Sequence, residues 1–132
     1  MKTYLVVTGV VKHKGRFLIL HRGKNDYNYP DKWSFCSGFV KEFEAAEQCI
    51  LREIKEETGL KARIIKTGKI IDVKDKKRNV RWVIAVYLCG AKSTDVKICK
   101  ENQGYRWVKS SEFRKYPFVP GLTKNLKTLG LI

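Results

Sequence analysis

Residues Gly38 to Leu60 read GFVKEFEAAEQCILREIKEETGL. Gly38, Glu44, Arg52, Glu53, Ile54, Glu56, Glu57, Gly59 and Leu60 follow the spacing G-x5-E-x7-R-E-U-x-E-E-x-G-U, with U a bulky aliphatic residue. Average residue usage puts a chance match on the order of 10⁻⁹ per start position. Placed on a helix from Ala45 to Thr58, the residues Ala46, Cys49, Ile50 and Ile54 form one apolar arc. Glu53 and Glu57, one turn apart, fall inside that arc, and Glu56 sits at its border. A carboxylate on a packed face is costly unless it is paired or bound to a metal. Acids at i, i+3 and i+4 also repel one another. Hard divalent cations with oxygen ligands, Mg²⁺ or Mn²⁺, relieve both costs. The plain alternative is a solvated face on which Arg52, Lys55 and Glu56 trade charge. Two carboxylates on the wrong face count against it.

The bulk properties narrow the classes. A chain of 132 residues fits one domain, residues 1–132, with a real core. Hydrophobic content of 43% is ordinary for a globular protein and argues against global disorder. No apolar stretch approaches the length of a membrane span, so no membrane partner is expected. The opening Met1 to Thr8 lacks a small-residue cleavage site and alternates like a strand, so no signal peptide is expected. Cys36, Cys49, Cys89 and Cys99 form no C-x-x-C pair and have no histidine at zinc-finger spacing. Cys49 and Cys89 lie in apolar runs and read as small core residues. Free thiols fit a reducing cytoplasm. The net charge is +15, yet six of the thirteen acids lie between Glu42 and Glu57. An acidic spot in a basic field suits a metal-bound polyphosphate. Binding to RNA and a lysine-rich solvated surface are the competing readings of that charge.

No repeat, low-complexity tract or linker divides the chain. Tyr4 to Lys12 and Arg16 to Arg22 read as a hairpin around His13-Lys14-Gly15. Gly23 to Asp31 reads as a turn-rich loop. Trp33 to Phe35 reads as a short strand running into Ser37-Gly38. The helix follows and stops at Gly59, a natural C-cap. Ala62 to Val73 reads as a strand, Lys74 to Asn79 as a charged turn, and Val80 to Cys89 as the most apolar strand. Asp95 to Cys99 and Tyr105 to Val108 read as two short strands around the bend Glu101 to Gly104. Ser110 to Arg114 reads as a helical turn and Leu122 to Leu129 as a terminal helix. Mixed strands with two helices make an α+β pattern.

Gly38 to Leu60 resembles the signature box of the Nudix, or MutT-like, hydrolases, which cut diphosphate linkages. The resemblance is sharp in the box and covers nearly the whole chain in element order. It implies the Nudix fold, an α-β-α sandwich with a mixed β-sheet and a loop-helix-loop catalytic box. It also implies Mg²⁺ as cofactor, with Mn²⁺ as a substitute. Glu53, Glu56 and Glu57 become metal ligands, joined by a backbone carbonyl from Ser37 or Gly38. Glu53 or Glu57 also orients or deprotonates the attacking water. Glu44 and Arg52 become structural support, holding the loop on the helix through a charge-assisted pair.

Outside the box, Glu101-Asn102-x-x-Tyr105-x-Trp107 resembles the E-H-x-x-Y-x-W segment of members that cleave nucleoside triphosphates. That makes Glu101 a candidate base, with a solvated loop acid as the equal alternative. Arg22 matches a position where relatives contact substrate, and a surface arginine is the alternative. Tyr105 and Trp107 share a strand face and read as core packing. Trp33, Phe35, Trp82, Tyr116 and Phe118 read equally as core or as base-stacking rings. His13 and His21 read as strand-end residues. The chain departs from the common pattern in having Cys36-Ser37-Gly38 where many relatives have Pro-Gly-Gly. It also has Phe43 where many have glycine, which matters if that position needs a positive φ. The resulting expectation is a nucleoside triphosphate pyrophosphohydrolase acting on a small nucleotide. Two alternatives stand beside it: a dinucleoside polyphosphate or capped-RNA pyrophosphohydrolase, and a non-catalytic nucleotide or RNA sensor.

Overall fold

The computed structural model describes residues 1–27 and 29–132. One mixed sheet carries the strands β1 (Lys2–His13), β2 (Arg16–Arg22), β3 (Trp33–Ser34), β4 (Cys36–Phe39), β5 (Ala62–Thr67), β6 (Ile71–Asp75), β7 (Val80–Ala91) and β8 (Asn102–Val108). Its order is β3-β2-β1-β7-β5, with β4 alongside β1, β6 alongside β7 and β8 alongside β2. The centre is a long parallel pair, in which Lys2–Lys12 of β1 runs beside Val80–Gly90 of β7. The other pairings are antiparallel.

Side chains alternate across these strands, as the two-residue period of a pleated strand requires. Val7, Val11, Leu18, Leu20, Ala85, Tyr87 and Cys89 face the helix α1 (Ala46–Thr58) and pack on Cys49, Ile50 and Ile54. Val10, Phe17, Ile19, Val86 and Leu88 face the other way. They pack on Phe113 of a 3₁₀ turn (Ser110–Lys115) and on Leu126 and Leu129 at the helix α2 (Leu122–Thr128). The result is the expected α-β-α sandwich. Burial holds the Cys89 thiol up at about 12 and the Cys49 thiol at about 11. Both behave as core residues, and all four cysteines are free.

Several element boundaries differ from the sequence reading. The strand expected over Ala62 to Val73 is two strands, β5 and β6, lying end to end along β7. Between them the Gly68 N–H donates to the Val86 carbonyl, and a Cβ at Gly68 would meet the Thr128 side chain of α2 at 2.8 Å. The chain is pinched there to admit α2. The strand expected at Trp33 to Phe35 breaks at Phe35, because Phe35 turns into the ring cluster of Phe113 and Phe118. Ser37 and Gly38 thus lie in β4, paired with Thr8 and Val7 of β1. Asp95 to Cys99 is not a strand. Lys97 and Cys99 instead donate their N–H groups to the Thr58 and Glu57 carbonyls, two of the orphan acceptors at the end of α1. The second of the two strands expected there starts earlier, at Asn102, and the charged turn is narrower, since β6 runs on to Asp75. The loop read over Gly23 to Asp31 includes position 28, which lies outside the described residues.

The helix boundaries follow local chemistry. Gln48 accepts from the Ala45 N–H at 3.1 Å at the start of α1. Gly59 ends it at φ +75°, donating to the Lys55 carbonyl at 2.8 Å. Gly9 sets the depth of the helix on the sheet. A Cβ at that position would lie 2.6 Å from Ile50 Cγ1 and 3.3 Å from Ile54 Cδ1. Both isoleucines are fully buried and have little room to yield. Gly9→Ala should therefore destabilise the protein by about 1–3 kcal/mol through overpacking. Urea denaturation followed by circular dichroism measures this, and unchanged stability would contradict the close approach.

Candidate active site

Two elements meet at the site, the packed face of α1 and the strand β4 beneath it. Arg52 is the organiser. Its Nε donates to Glu44 Oε2 at 2.7 Å and its Nη2 to Glu44 Oε1 at 2.9 Å. Its Nη1 donates to Glu53 Oε1 at 2.8 Å and reaches both Glu56 oxygens at 3.2 and 3.3 Å. Glu44 in turn accepts the Lys41 N–H at 3.1 Å. The box loop is thus fastened to the helix by a two-point, charge-assisted fork. The expected supporting geometry of Glu44 and Arg52 is present, and Arg52 also reaches the carboxylates beyond it.

Glu57 occupies a different environment. Among the described residues its buried Oε2 has no hydrogen-bond partner, and burial pushes its carboxyl up to about 9. The adjacent Glu53 carboxyl adds to that rise, as does the charge of Glu101 from the loop before β8. A hydrogen bond from the Ser37 backbone pulls the other way. Beneath these groups the Glu53 carboxyl rests on the Gly38 backbone, so a side chain at position 38 would displace Glu53; the φ of Gly38 is not in the left-handed region. Among the described residues no three His, Cys, Asp or Glu side chains converge as a ready-made metal cage. Glu53 and Glu56 are turned to Arg52 instead. An orphaned buried carboxylate oxygen beside a second carboxylate is nevertheless a hard-oxygen donor set that suits Mg²⁺ or Mn²⁺.

The remaining predicted residues lie around this centre. The Glu101 carbonyl accepts the Gly23 N–H at 3.1 Å, which ties the bend before β8 to the end of β2. Arg22 pairs with Asp26 at 3.2 Å. The Gln103 amide donates to the Arg22 carbonyl at 2.7 Å and to Asp31 Oδ1 at 2.6 Å, so it braces the same corner. His21 stacks on Trp33 with centroids 4.4 Å apart, and His13 lies against the Ala91 carbonyl. Both histidines have structural partners at strand ends. Trp107 packs on the core, but Tyr105 on the same face is 39% exposed. Phe43 takes φ +64° and is 99% exposed. That position does need a left-handed backbone, and a phenylalanine there costs about 1–2 kcal/mol with no packing to offset it.

Sequence reading missed one feature. Tyr4 stacks on Trp82 at 5.2 Å, and Phe39 packs edge-on to Tyr4 at 5.8 Å. The three rings come from β1, β7 and β4 and meet only through sheet register. Phe39 directly follows Gly38, so it points to the face opposite the carboxylates. No sequence spacing signals this cluster.

Known proteins share this fold. The sequence profile of the NUDIX domain matches residues 3–129. Nucleoside triphosphatase NudI of Escherichia coli O81 (strain ED1a) is 26% identical over 141 aligned residues, with the whole of both chains covered. The MutT protein of Methanosarcina mazei Go1 superposes with a TM-score of 0.82 at 23% identity, over 96% of this chain and 91% of that one. The E. coli ORF135 protein gives 0.82 at 21% identity, over 98% and 90%.

The fork between Glu44 and Arg52 carries a pH signature. The Arg52 hydrogen bonds, then the Lys41 amide, lower the Glu44 carboxyl from its ordinary 4.5 to about 2. A depressed carboxyl stabilises the folded state above its ordinary value and loses that contribution as pH falls through the folded one. Thermal melts of the wild type should show this loss between pH 4.5 and about 2. Glu44→Gln should be less stable at neutral pH and should lack that segment of the acid dependence. Parallel melting curves for the two proteins across this range would contradict the assignment.

Proposed function

The chain belongs to the NUDIX family and is a hydrolase of phosphoric anhydride bonds; from that premise we propose that it is a divalent-metal-dependent nucleoside triphosphate pyrophosphohydrolase. One observation carries the reading: the buried Glu57 carboxyl, with an oxygen that has no partner among the described residues, sits beside Glu53 on the packed face of α1. The name of the NudI relative points to the substrate class. The aromatic cluster supports it. Among the described residues β4 pairs with β1 alone. A nucleotide straddling β4 would place its phosphates on the Gly38 side and its base against Phe39, Tyr4 and Trp82. The charge of +15 draws polyphosphates toward the acidic centre. We take residues 1–132 as one functional domain and place it in the cytoplasm, which suits four free thiols.

In this reading Glu53, Glu56 and Glu57, with the carbonyl of Ser37 or Gly38, would hold Mg²⁺, with Mn²⁺ able to substitute. Bound there, the cation would offset charge on phosphate oxygens and lower the pKa of a water. Glu53 or Glu57 would orient the attacking water and take its proton. Glu101, in the loop before β8 and near enough for its charge to act on Glu57, is the alternative base. Arg22 steadies the phosphates from the end of β2. Attack on phosphorus forms one P–O bond and breaks the anhydride bond, so the triphosphate and water yield a monophosphate and pyrophosphate.

Pyrophosphate release from a nucleotide panel, with and without Mg²⁺, tests the reading. EDTA should abolish turnover, and Mg²⁺ or Mn²⁺ should restore it. Glu57→Gln and Glu53→Gln should each lower the rate by about 10²-fold or more, roughly 3 kcal/mol of barrier. Glu57→Gln should fold at least as well as wild type, because the amide replaces a carboxyl that burial already disfavours as a charge. Near wild-type rates in both variants would leave the carboxylates as a mere helix face.

A polymeric or capped RNA substrate behaves differently. Several cations would then neutralise phosphates along the strand, and binding would fall by orders of magnitude between about 50 and 200 mM salt. A small nucleotide predicts mild salt dependence. It also predicts catalytic constants within a few-fold of wild type after charge reversal at Lys76 and Lys77, in the turn between β6 and β7. Steep, salt-sensitive RNA binding lost in that variant would favour the RNA reading.

A further inference from the structure

We infer that Arg52 is an internal counter-cation which competes with the metal for Glu53 and Glu56 and so sets the metal affinity of the site. The inference rests on the metal-dependent reading above. The guanidinium has two working edges. Nε and Nη2 form the fork with Glu44, at 2.7 and 2.9 Å. Nη1 alone serves the other side, reaching Glu53 at 2.8 Å and Glu56 at 3.2 Å. Carboxylates at i, i+3 and i+4 on one helix repel when no cation lies among them. The Nη1 arm supplies that cation from within the protein. Glu57, by contrast, keeps one oxygen without a partner among the described residues.

The two edges therefore differ in permanence. A divalent cation arriving at the free Glu57 oxygen must draw Glu53 and Glu56 away from Nη1. It need not touch the Glu44 fork, which keeps the box loop in place while the other arm lets go. No three acids converge among the described residues, and Glu53 and Glu56 each take a hydrogen bond from the guanidinium. The strength of the competition follows from exposure. Glu53 is 17% exposed in its pair and Glu56 is 55% exposed. Exposed ion pairs of this kind are weak, so releasing both arms corresponds to about a two- to thirtyfold change in metal affinity.

Isothermal titration of Mg²⁺ into the nucleotide-free protein tests the inference by its sign. Competition predicts that Arg52→Gln binds Mg²⁺ about two- to thirtyfold more tightly than wild type, with a larger Mg²⁺-induced rise in Tm. Glu44→Gln, which breaks the fork but leaves the Nη1 arm, should stay within about twofold of wild type. If Arg52 only positions the carboxylates, Arg52→Gln binds Mg²⁺ more weakly, and that result overturns the inference while leaving metal dependence intact. No Mg²⁺ binding by the wild type overturns both. Should Arg52→Gln fail to fold, ¹⁵N spectra of arginine side chains in the wild type supply the second measurement. Saturating Mg²⁺ should free the Arg52 Nη1 protons while Nε–H stays hydrogen-bonded. Unchanged Nη1 signals at saturation would overturn the inference.

Discussion

The guanidinium of Arg52 holds the site together. Five N–H donors in a rigid fork let one side chain grip Glu44 in the loop while reaching Glu53 and Glu56 on its own helix. A lysine, with a single point charge, cannot satisfy both edges in this geometry. Remove the guanidinium and two things fail together: the loop loses its anchor, and neighbouring carboxylates face one another uncompensated. Loop geometry and acid placement are thus one electrostatic problem with one solution.

That solution needs α1 to lie close to the sheet. Two glycines permit it for different reasons. Gly9 lets Ile50 and Ile54 settle on β1, and Gly38 leaves room for the Glu53 carboxyl against β4. Neither has a positive φ, so both act by close approach rather than by conformational freedom. Where the box loop turns left-handed, at residue 43, the chain carries phenylalanine and bears the strain. The loop keeps its path because the Glu44 fork and the Lys41 bond follow at once.

Burial separates the roles of the acids. Glu44 and Glu57 are both glutamates of the same box, yet one carboxyl is driven down to about 2 and the other up to about 9. The difference is the partner. Glu44 meets a guanidinium at the edge of the protein. Glu57 points into the packed face, beside another carboxyl. A site that keeps one acid firmly charged for structure and another reluctant to ionise alone is arranged for a cation to enter.

The helix, its carboxylate arc, its Gly59 cap and the Glu44–Arg52 pairing were legible from sequence. All depend on residues within a few turns of one another, where the 3.6-residue period fixes the geometry. The alternating strands were legible for the same local reason, and with them the α+β class. What the sequence could not show depends on distant segments meeting. The split of β5 from β6 comes from α2 pressing on Gly68. The loss of the Asp95 to Cys99 strand comes from carbonyls at the end of α1 that needed donors. The Tyr4, Phe39 and Trp82 cluster exists only because β1 pairs with β4 on one side and β7 on the other. The second arm of Arg52 and the isolation of the Glu57 oxygen belong to this group as well. Local periodicity says which face a residue occupies, and tertiary packing alone decides what stands opposite it.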